Sequence, residues 1–147
     1  MSTTEVEETI TASIVPATER IAFLPKFFGG AFMRGEGLLY NWAGKLCPQY
    51  QGGFWSFYTL SNGGFFASPE TSEQVEISVD TNGYCGSMSP QSAGVVITLF
   101  ALNHLIAALY KDSRNESLVE KLTEHYYQLR DFISSLPDAK EVFSAID

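Results

Sequence analysis

The segment GGFWSFYTLSNGGFFASP, residues 52–69, decides how the middle of the chain folds. Aromatic residues stand on both sides of Asn62 and Gly63, a dipeptide typical of a two-residue hairpin turn because both residues tolerate a positive φ. A turn of that length sets Leu60 opposite Phe65. Since aromatic side chains occupy both faces of the first strand, we expect that strand to be internal in its sheet.

A second hairpin is predicted at Asn82 and Gly83, the same turn dipeptide. Apolar and polar residues alternate before this turn, as is typical of a strand that buries one face. A two-residue turn sets Ile77 opposite Met88 and places Cys85 on the polar face of the hairpin.

Apolar residues at helical spacing predict four to five helices around the two hairpins. In chain order the predicted helices cover 18–28, where Pro25 allows either one short helix or two turns, then 35–47, 90–110, 113–136 and a short segment after Asp138. The helix at 90–110 is apolar on nearly every side, so we expect it to run through the core. Asn103 and His104 lie inside it, which argues against a membrane span.

Capping residues support the starts of three of these helices. Ser89 and Pro90 are an N-cap residue and the residue best suited to the first helical position. Ser113 and Glu116 have the spacing of a capping box. Asp138 is predicted to cap the last helix.

The order of the elements, helices then antiparallel strands then helices, predicts an α+β fold. With 147 residues, 45% of them hydrophobic, the chain is long enough for a single core. We expect a single compact domain over residues 16–147, in which a small antiparallel sheet of two hairpins packs with about four to five helices. Residues 1–15 have neither a helical nor a strand period, so they are predicted to be flexible.

The charge balance argues against nucleic acid as a strongly bound partner. There are 17 acidic and nine basic residues, the net charge is −8, and the isoelectric point is about 4.6. Such a chain repels phosphates. The N-terminal residues are acidic and lack the basic start and apolar run of a secretory signal, so we expect a cytoplasmic protein without membrane contact.

The candidate catalytic groups are two cysteines and two histidines. Cys47 is predicted at the carboxyl end of a helix, where the helix dipole disfavours a thiolate. We expect His104 in the core and His125 at the boundary of an amphipathic helix. No HxxxH or CxxC spacing indicates a metal site. The sequence therefore predicts no catalytic residues, metal or cofactor, and a protein that is not an enzyme.

Aromatic residues cluster in and around the first hairpin, in a number that a small sheet cannot bury. Exposed aromatic rings are common anchors of protein interfaces, and loops held by a rigid hairpin are common binding positions. We therefore predict a partner-binding patch. Its predicted members are Tyr50, Gln51, Ser61, Asn62 and Tyr84.

Three segments together resemble the ArdB/KlcA family of antirestriction proteins. They are LLYNWAGKLCPQYQGGFWSFYTLSNGGFFASP at 38–69, VDTNGYCGSMSPQSAGVVITLFALNHL at 79–105 and YYQLRDFISSLPDAKEVFSAID at 126–147. The resemblance extends from about Arg20 to Asp147. It implies a compact α+β domain encoded on plasmids or other mobile elements. It also implies protection of incoming DNA from type I restriction systems, and it supplies no catalytic residue.

Two mechanisms of different class are compatible with this resemblance. The first is non-enzymatic binding to a type I restriction enzyme, or to a host factor that controls it, by a monomer or weak homodimer. The second is an enzyme, such as a hydrolase, acting on a nucleotide or a partner protein. Extended DNA mimicry is disfavoured, because one turn of B-DNA presents roughly 20 ordered negative charges.

Overall fold

Five helices and five strands follow one another along residues 9–147, the part of the chain that the computed structural model describes. In chain order they are β1 (Ala12–Ile14), α1 (Arg20–Phe28), α2 (Phe32–Leu46), β2 (Trp55–Leu60), β3 (Phe65–Pro69), β4 (Val75–Val79), β5 (Tyr84–Met88), α3 (Pro90–Leu109), α4 (Glu116–Phe132) and α5 (Ala139–Ile146). The α+β class and the single compact domain are confirmed. The two hairpins belong to separate sheets, β1-β2-β3 and β4-β5.

The central element is α3, as its apolar sequence predicts. Twelve of its 20 residues are buried, and Ser89 caps its start by accepting a hydrogen bond from the backbone N–H of Ser92. This helix has the length and hydropathy of a membrane span, yet 67% of its apolar 18-residue stretch is buried within the protein. It is therefore the core helix of this domain.

Helix α3 covers the outer edge of β3 at very short range. The Thr98 hydroxyl accepts a hydrogen bond from the backbone N–H of Ala67 and donates one to its carbonyl, at 3.1 and 3.3 Å. Gly94 makes this approach possible, because a Cβ there would lie 2.5 Å from the Ala67 carbonyl oxygen. The edge of the sheet is thereby protected from pairing with another chain.

Strand β1 comes from the segment that was predicted to be flexible. It pairs antiparallel with β2, with Ser13 opposite Thr59, so that β2 is the internal strand as expected. The prediction for 1–15 is therefore wrong for residues 12–14, and residues 1–8 lie outside the described part of the chain.

The register of the first hairpin differs by one residue from the predicted one. The loop has three residues, because the Leu60 carbonyl accepts from the Gly63 N–H and the Leu60 N–H donates to the Gly64 carbonyl. Gly63 has a φ of 94°, which suits a turn followed by a bulge. Thr59 therefore pairs with Phe65, and the expected pairing of Leu60 with Phe65 is wrong.

The second hairpin is shifted by two residues. Val79 pairs with Tyr84, which leaves a loop of four residues, and the Gly83 N–H donates to the Val79 carbonyl at 2.9 Å. Ile77 lies opposite Gly86 and not Met88. A shift of two keeps every side chain on its face, so Cys85 is exposed as predicted.

Two of the three predicted caps are wrong. A short 3-10 turn precedes α4, and the residue that caps it is Asp112, whose carboxylate accepts from the Arg114 N–H. Asp138 makes no side-chain bond to its own helix. Its carboxylate instead accepts from the Ser89 N–H and the Ser92 hydroxyl, both at 3.0 Å, and so joins α5 to the start of α3.

Candidate functional site

The five residues of the predicted patch occupy three separate places. Tyr50 and Gln51 precede β2, and the Tyr50 hydroxyl accepts a hydrogen bond from the Trp55 indole at 3.1 Å. Ser61 and Asn62 follow the other end of β2, which its six residues put about 17 Å away. Tyr84 begins β5 in the other sheet.

The residues at the tip of the first hairpin use their polar atoms within the protein. The Asn62 amide donates to the Gln128 carbonyl, and the Gln128 amide donates back to the Asn62 carbonyl, both at 2.9 Å. The Ser61 hydroxyl accepts from the Thr11 N–H. This reciprocal pair fixes the turn against α4, which explains why an asparagine stands there.

Gln128 also positions His125, which the structure places in the core and not at a boundary. The His125 ring is 8% exposed and stands edge-on to Phe27 and Phe65. Its Nδ1 lies 2.8 Å from Gln128 Oε1, an atom that can only accept, so we assign the proton to Nδ1. Burial is the main cause that lowers the pKa of His125, which favours this neutral form.

The Nε2 atom of His125 has no hydrogen-bond partner among residues 9–147 and is closed to solvent. A cavity of about 430 Å³ lies beside the ring, with Lys26 and Lys121 in its wall. The Lys121 ammonium donates to the Lys26 carbonyl at 3.2 Å. The arrangement packs the hairpin against α1 and α4, and it leaves the Nε2 atom of His125 out of the reach of a substrate.

Among the other candidate catalytic groups, the Cys47 thiol is buried, whereas the Cys85 thiol and the second histidine are exposed. Burial raises the pKa of the Cys47 thiol to about 11, so it is protonated at neutral pH. His104 is exposed and lies edge-on to Trp42, with 6.2 Å between the ring centroids, so the expectation of a core histidine is wrong. Over residues 9–147, no three His, Cys, Asp or Glu side chains come together as metal ligands.

Tyr84 belongs to a polar junction between β5 and α5. Its hydroxyl donates to Glu141 Oε2 at 2.7 Å. Burial, followed by this hydrogen bond, raises the pKa of Tyr84 to about 12. Nearby, the Asn82 amide donates to the Ala145 carbonyl at 2.9 Å and fixes the second turn on the same helix. The hydroxyl of Tyr84 is thus committed to an internal contact.

Tyr50 and Gln51 line a cleft of about 280 Å³ between the loop before β2 and the loop after β3. We call it the Phe54 cleft, and its wall includes Tyr50, Gln51, Phe54, Glu70 and Glu73. The side chain of Phe54 is 81% exposed. The sequence indicated an aromatic cluster here but not which ring would face water.

Comparison with known proteins supports one family. The model of the antirestriction protein family matches residues 48–147. Two relatives from Escherichia coli, both called antirestriction protein KlcA, are 41% and 42% identical to this chain. The first match covers 100% of both chains, and the second covers 96% of this chain and 97% of the relative.

A solved structure has the same fold. It covers 100% of both chains with a TM-score of 0.85 and 40% identity, and it is described as a structure of KlcA and ArdB. Those proteins are said to show a novel fold and antirestriction activity against type I DNA restriction systems in vivo but not in vitro. The chain described here belongs to the antirestriction protein family.

Proposed function

We propose that this protein protects incoming plasmid or phage DNA from type I restriction-modification systems in the cytoplasm of a bacterial host. The observation that carries the proposal is the match of fold and sequence over the whole chain to KlcA and ArdB, at a TM-score of 0.85 and 40% identity. The KlcA relatives are also matched over their full or nearly full length. No insertion or missing segment of large size therefore separates this chain from proteins with that activity.

The mechanism that we propose is non-enzymatic binding to another protein. Two observations support it. The buried thiol of Cys47 is protonated at neutral pH, because burial raises its pKa to about 11, and a protonated thiol is a poor nucleophile. The His125 ring is sealed between aromatic side chains, with its Nε2 closed to solvent. A general base must lie within hydrogen-bond reach of the proton that it removes.

Imitation of an extended DNA duplex is a weaker explanation. One turn of B-DNA carries roughly 20 negative charges in a regular array. This chain has 17 acidic residues against nine basic ones. The acidic residues Asp112 and Asp147 are also paired with arginines, which removes them from any such array.

The bound partner is either the type I restriction enzyme itself or a host factor that controls it. The activity of KlcA and ArdB in vivo but not in vitro favours a component that the purified reaction lacks. We propose the host factor as the second candidate on this ground. The surface would include Tyr50 and Gln51, with Ser61, Asn62 and Tyr84 as the other proposed positions, on a monomer or weak homodimer.

The test is the plating efficiency of unmodified phage on a strain with a type I system, with and without this protein. We expect plating to rise with the protein and to stay unchanged on a matched strain carrying a type II enzyme. Equal plating in the type I strain, at verified soluble expression, would refute the proposal. Adding cell extract to a purified type I cleavage reaction then separates the two candidate partners, because a host-factor route requires the extract for inhibition.

A further inference from the structure

Phe54 is an exposed ring at a fixed place. Its side chain is 81% exposed, whereas the next residue, Trp55, is 4% exposed. The Glu70 N–H donates to the Phe54 carbonyl at 2.9 Å, which continues the β2–β3 ladder by one pair. The backbone under the ring is therefore held by the sheet. A partner that contacts this ring does not have to order the backbone that carries it.

The same pairing puts an acidic residue on the same face of the sheet as the ring. Phe54 and Glu70 are directly opposite each other across the two strands, so their Cβ atoms are about 5 Å apart on one face. Glu73 lies in the wall of the same cleft. Between residues 9 and 147 the ion pairs are Arg114 with Asp112 and Arg130 with Asp147, so neither glutamate is neutralised by one.

We propose that the Phe54 cleft binds an arginine side chain from an exposed basic segment of the partner protein. A guanidinium can stack on the Phe54 ring while its N–H groups donate to the Glu70 carboxylate. None of the residues that line the cleft is basic, so an incoming cation meets no like charge there. The inference rests on the proposed function, because it assumes that the protein acts by binding another protein.

The chemistry of the cleft favours arginine over other occupants. An apolar side chain would cover the carboxylates of Glu70 and Glu73 without pairing them, which is costly. A phosphate would be repelled by the same two groups. A lysine ammonium is a point charge that neither stacks as a plane nor donates in a fork. The net charge of −8 also attracts a basic partner from a distance.

An extended segment fits better than an isolated side chain. Pro69, Glu70 and Thr71 line both the Phe54 cleft and a second cleft of about 480 Å³. Ser72 and Gln91 contribute polar groups to that second cleft. A chain that crosses at Glu70 can place its arginine on Phe54 and its backbone against these polar side chains.

The first test uses a defined probe, the peptide acetyl-Gly-Arg-Gly-Arg-Gly-amide, added to the full-length isotope-labelled protein while amide shifts are followed by NMR. We expect shifts at Gly52, Gly53 and Glu70 that saturate and weaken as salt is added. Replacing both arginines with neutral citrulline should abolish them. Phe54→Ala and Glu70→Gln should each weaken binding roughly fivefold. Equal shifts with the citrulline peptide, or shifts confined to another surface, would overturn the proposal.

The second test uses phage plating with matched controls. Tyr110→Ala removes an aromatic ring that is 75% exposed, about 30 Å from the start of α3, and Glu120→Gln neutralises an exposed acid on α4. We expect the controls to keep full protection, while Phe54→Ala and Glu70→Gln lose most of it at unchanged melting temperature. If the wild type protects and all four variants protect equally, the arginine site is wrong and the proposed function stands. If the wild type does not protect, the proposed function fails, and the peptide titration alone decides the site.

Discussion

Replacing Gly94 by alanine tests the close contact on which the core depends. A Cβ at this position would lie 2.5 Å from the Ala67 carbonyl oxygen and 2.7 Å from the Ser68 Cα. Ordinary contact begins near 3.4 Å, so α3 and β3 would have to separate by close to an ångström. Both atoms belong to the backbone of a strand that pairs with β2, and they cannot turn aside as a flexible side chain could.

Three effects set the expected size of the change. Overpacking a core costs about 1–3 kcal/mol, and separation also strains the bonds between Thr98 and Ala67, worth about 1 kcal/mol each. Alanine returns about 1 kcal/mol through its better helix propensity. We expect a net loss of about 2–4 kcal/mol, which lowers the melting temperature by about 6–16 °C for a domain of this size.

The control is Gly44→Ala in α2. A Cβ at Gly44 has no atom within 4 Å, and the residue is exposed inside a helix. This substitution should stabilise the protein by about 0.5–1 kcal/mol. Gly35→Ala should fall between the two, because its Cβ would meet the side chain of Phe28 at 2.8 Å and not a backbone.

The measurement is urea unfolding followed by circular dichroism, with the three variants compared at one pH. The expected order of stability is Gly44→Ala, then wild type, then Gly35→Ala, then Gly94→Ala. A Gly94→Ala protein as stable as the Gly44→Ala protein would show that α3 does not approach β3 as described. A smaller slope of free energy against urea would instead indicate a native state that has loosened.

Three further outcomes are expected. Burial lowers the pKa of His125, so the stability that this neutral ring contributes is complete above the ordinary histidine pKa of about 6.5 and is lost as the pH falls below it. The urea midpoints at pH 7.5 and pH 5.5 should therefore differ more for the wild type than for His125→Gln, and equal differences would contradict this. Asn62→Ala should lower the free energy of unfolding by about 1–2 kcal/mol, because it removes the side-chain bonds to the Gln128 carbonyl on α4 and from the Gly64 N–H, whereas Gln51→Ala should leave it unchanged and lower phage plating. Cys47→Ser and Cys85→Ser should keep protection at any temperature where they are folded, and loss of plating by a folded variant would revive an enzymatic mechanism.

The sequence predicts the elements whose signals are local and misses the contacts between them. Ser89 and Pro90 are enough to start α3 correctly, because a cap bonds within its own first turn. The predicted registers of the hairpins are wrong, because the asparagine in each turn is hydrogen-bonded to a helix far along the chain. Asn62 bonds to Gln128 and Asn82 bonds to Ala145, and a turn dipeptide carries no sign of either partner.

The candidate site shows the same division. The aromatic cluster was visible, but the exposure of Phe54 depends on the pairing of its carbonyl with Glu70, which only the fold supplies. The burial of His125, in contrast, could have been predicted from the sequence. It stands three residues after Leu122 and four before Leu129, both of them fully buried, which puts all three on one face of α4.

The two Asn-Gly turns and the loop before β2 therefore differ in what holds them. Each turn is bonded to a helix, Asn62 to Gln128 on α4 and Asn82 to Ala145 on α5, so neither loop can change shape without breaking that bond. The loop before β2 has Gly52 and Gly53 at φ of 92° and 118°, with open space around both. One wall of the Phe54 cleft is thus fixed by the sheet, and the other includes the Gly52–Gly53 backbone, which no side chain confines. A rigid wall that carries the ring and the carboxylate, facing a wall that can adjust, is the arrangement expected of a surface that must accept a segment of another protein.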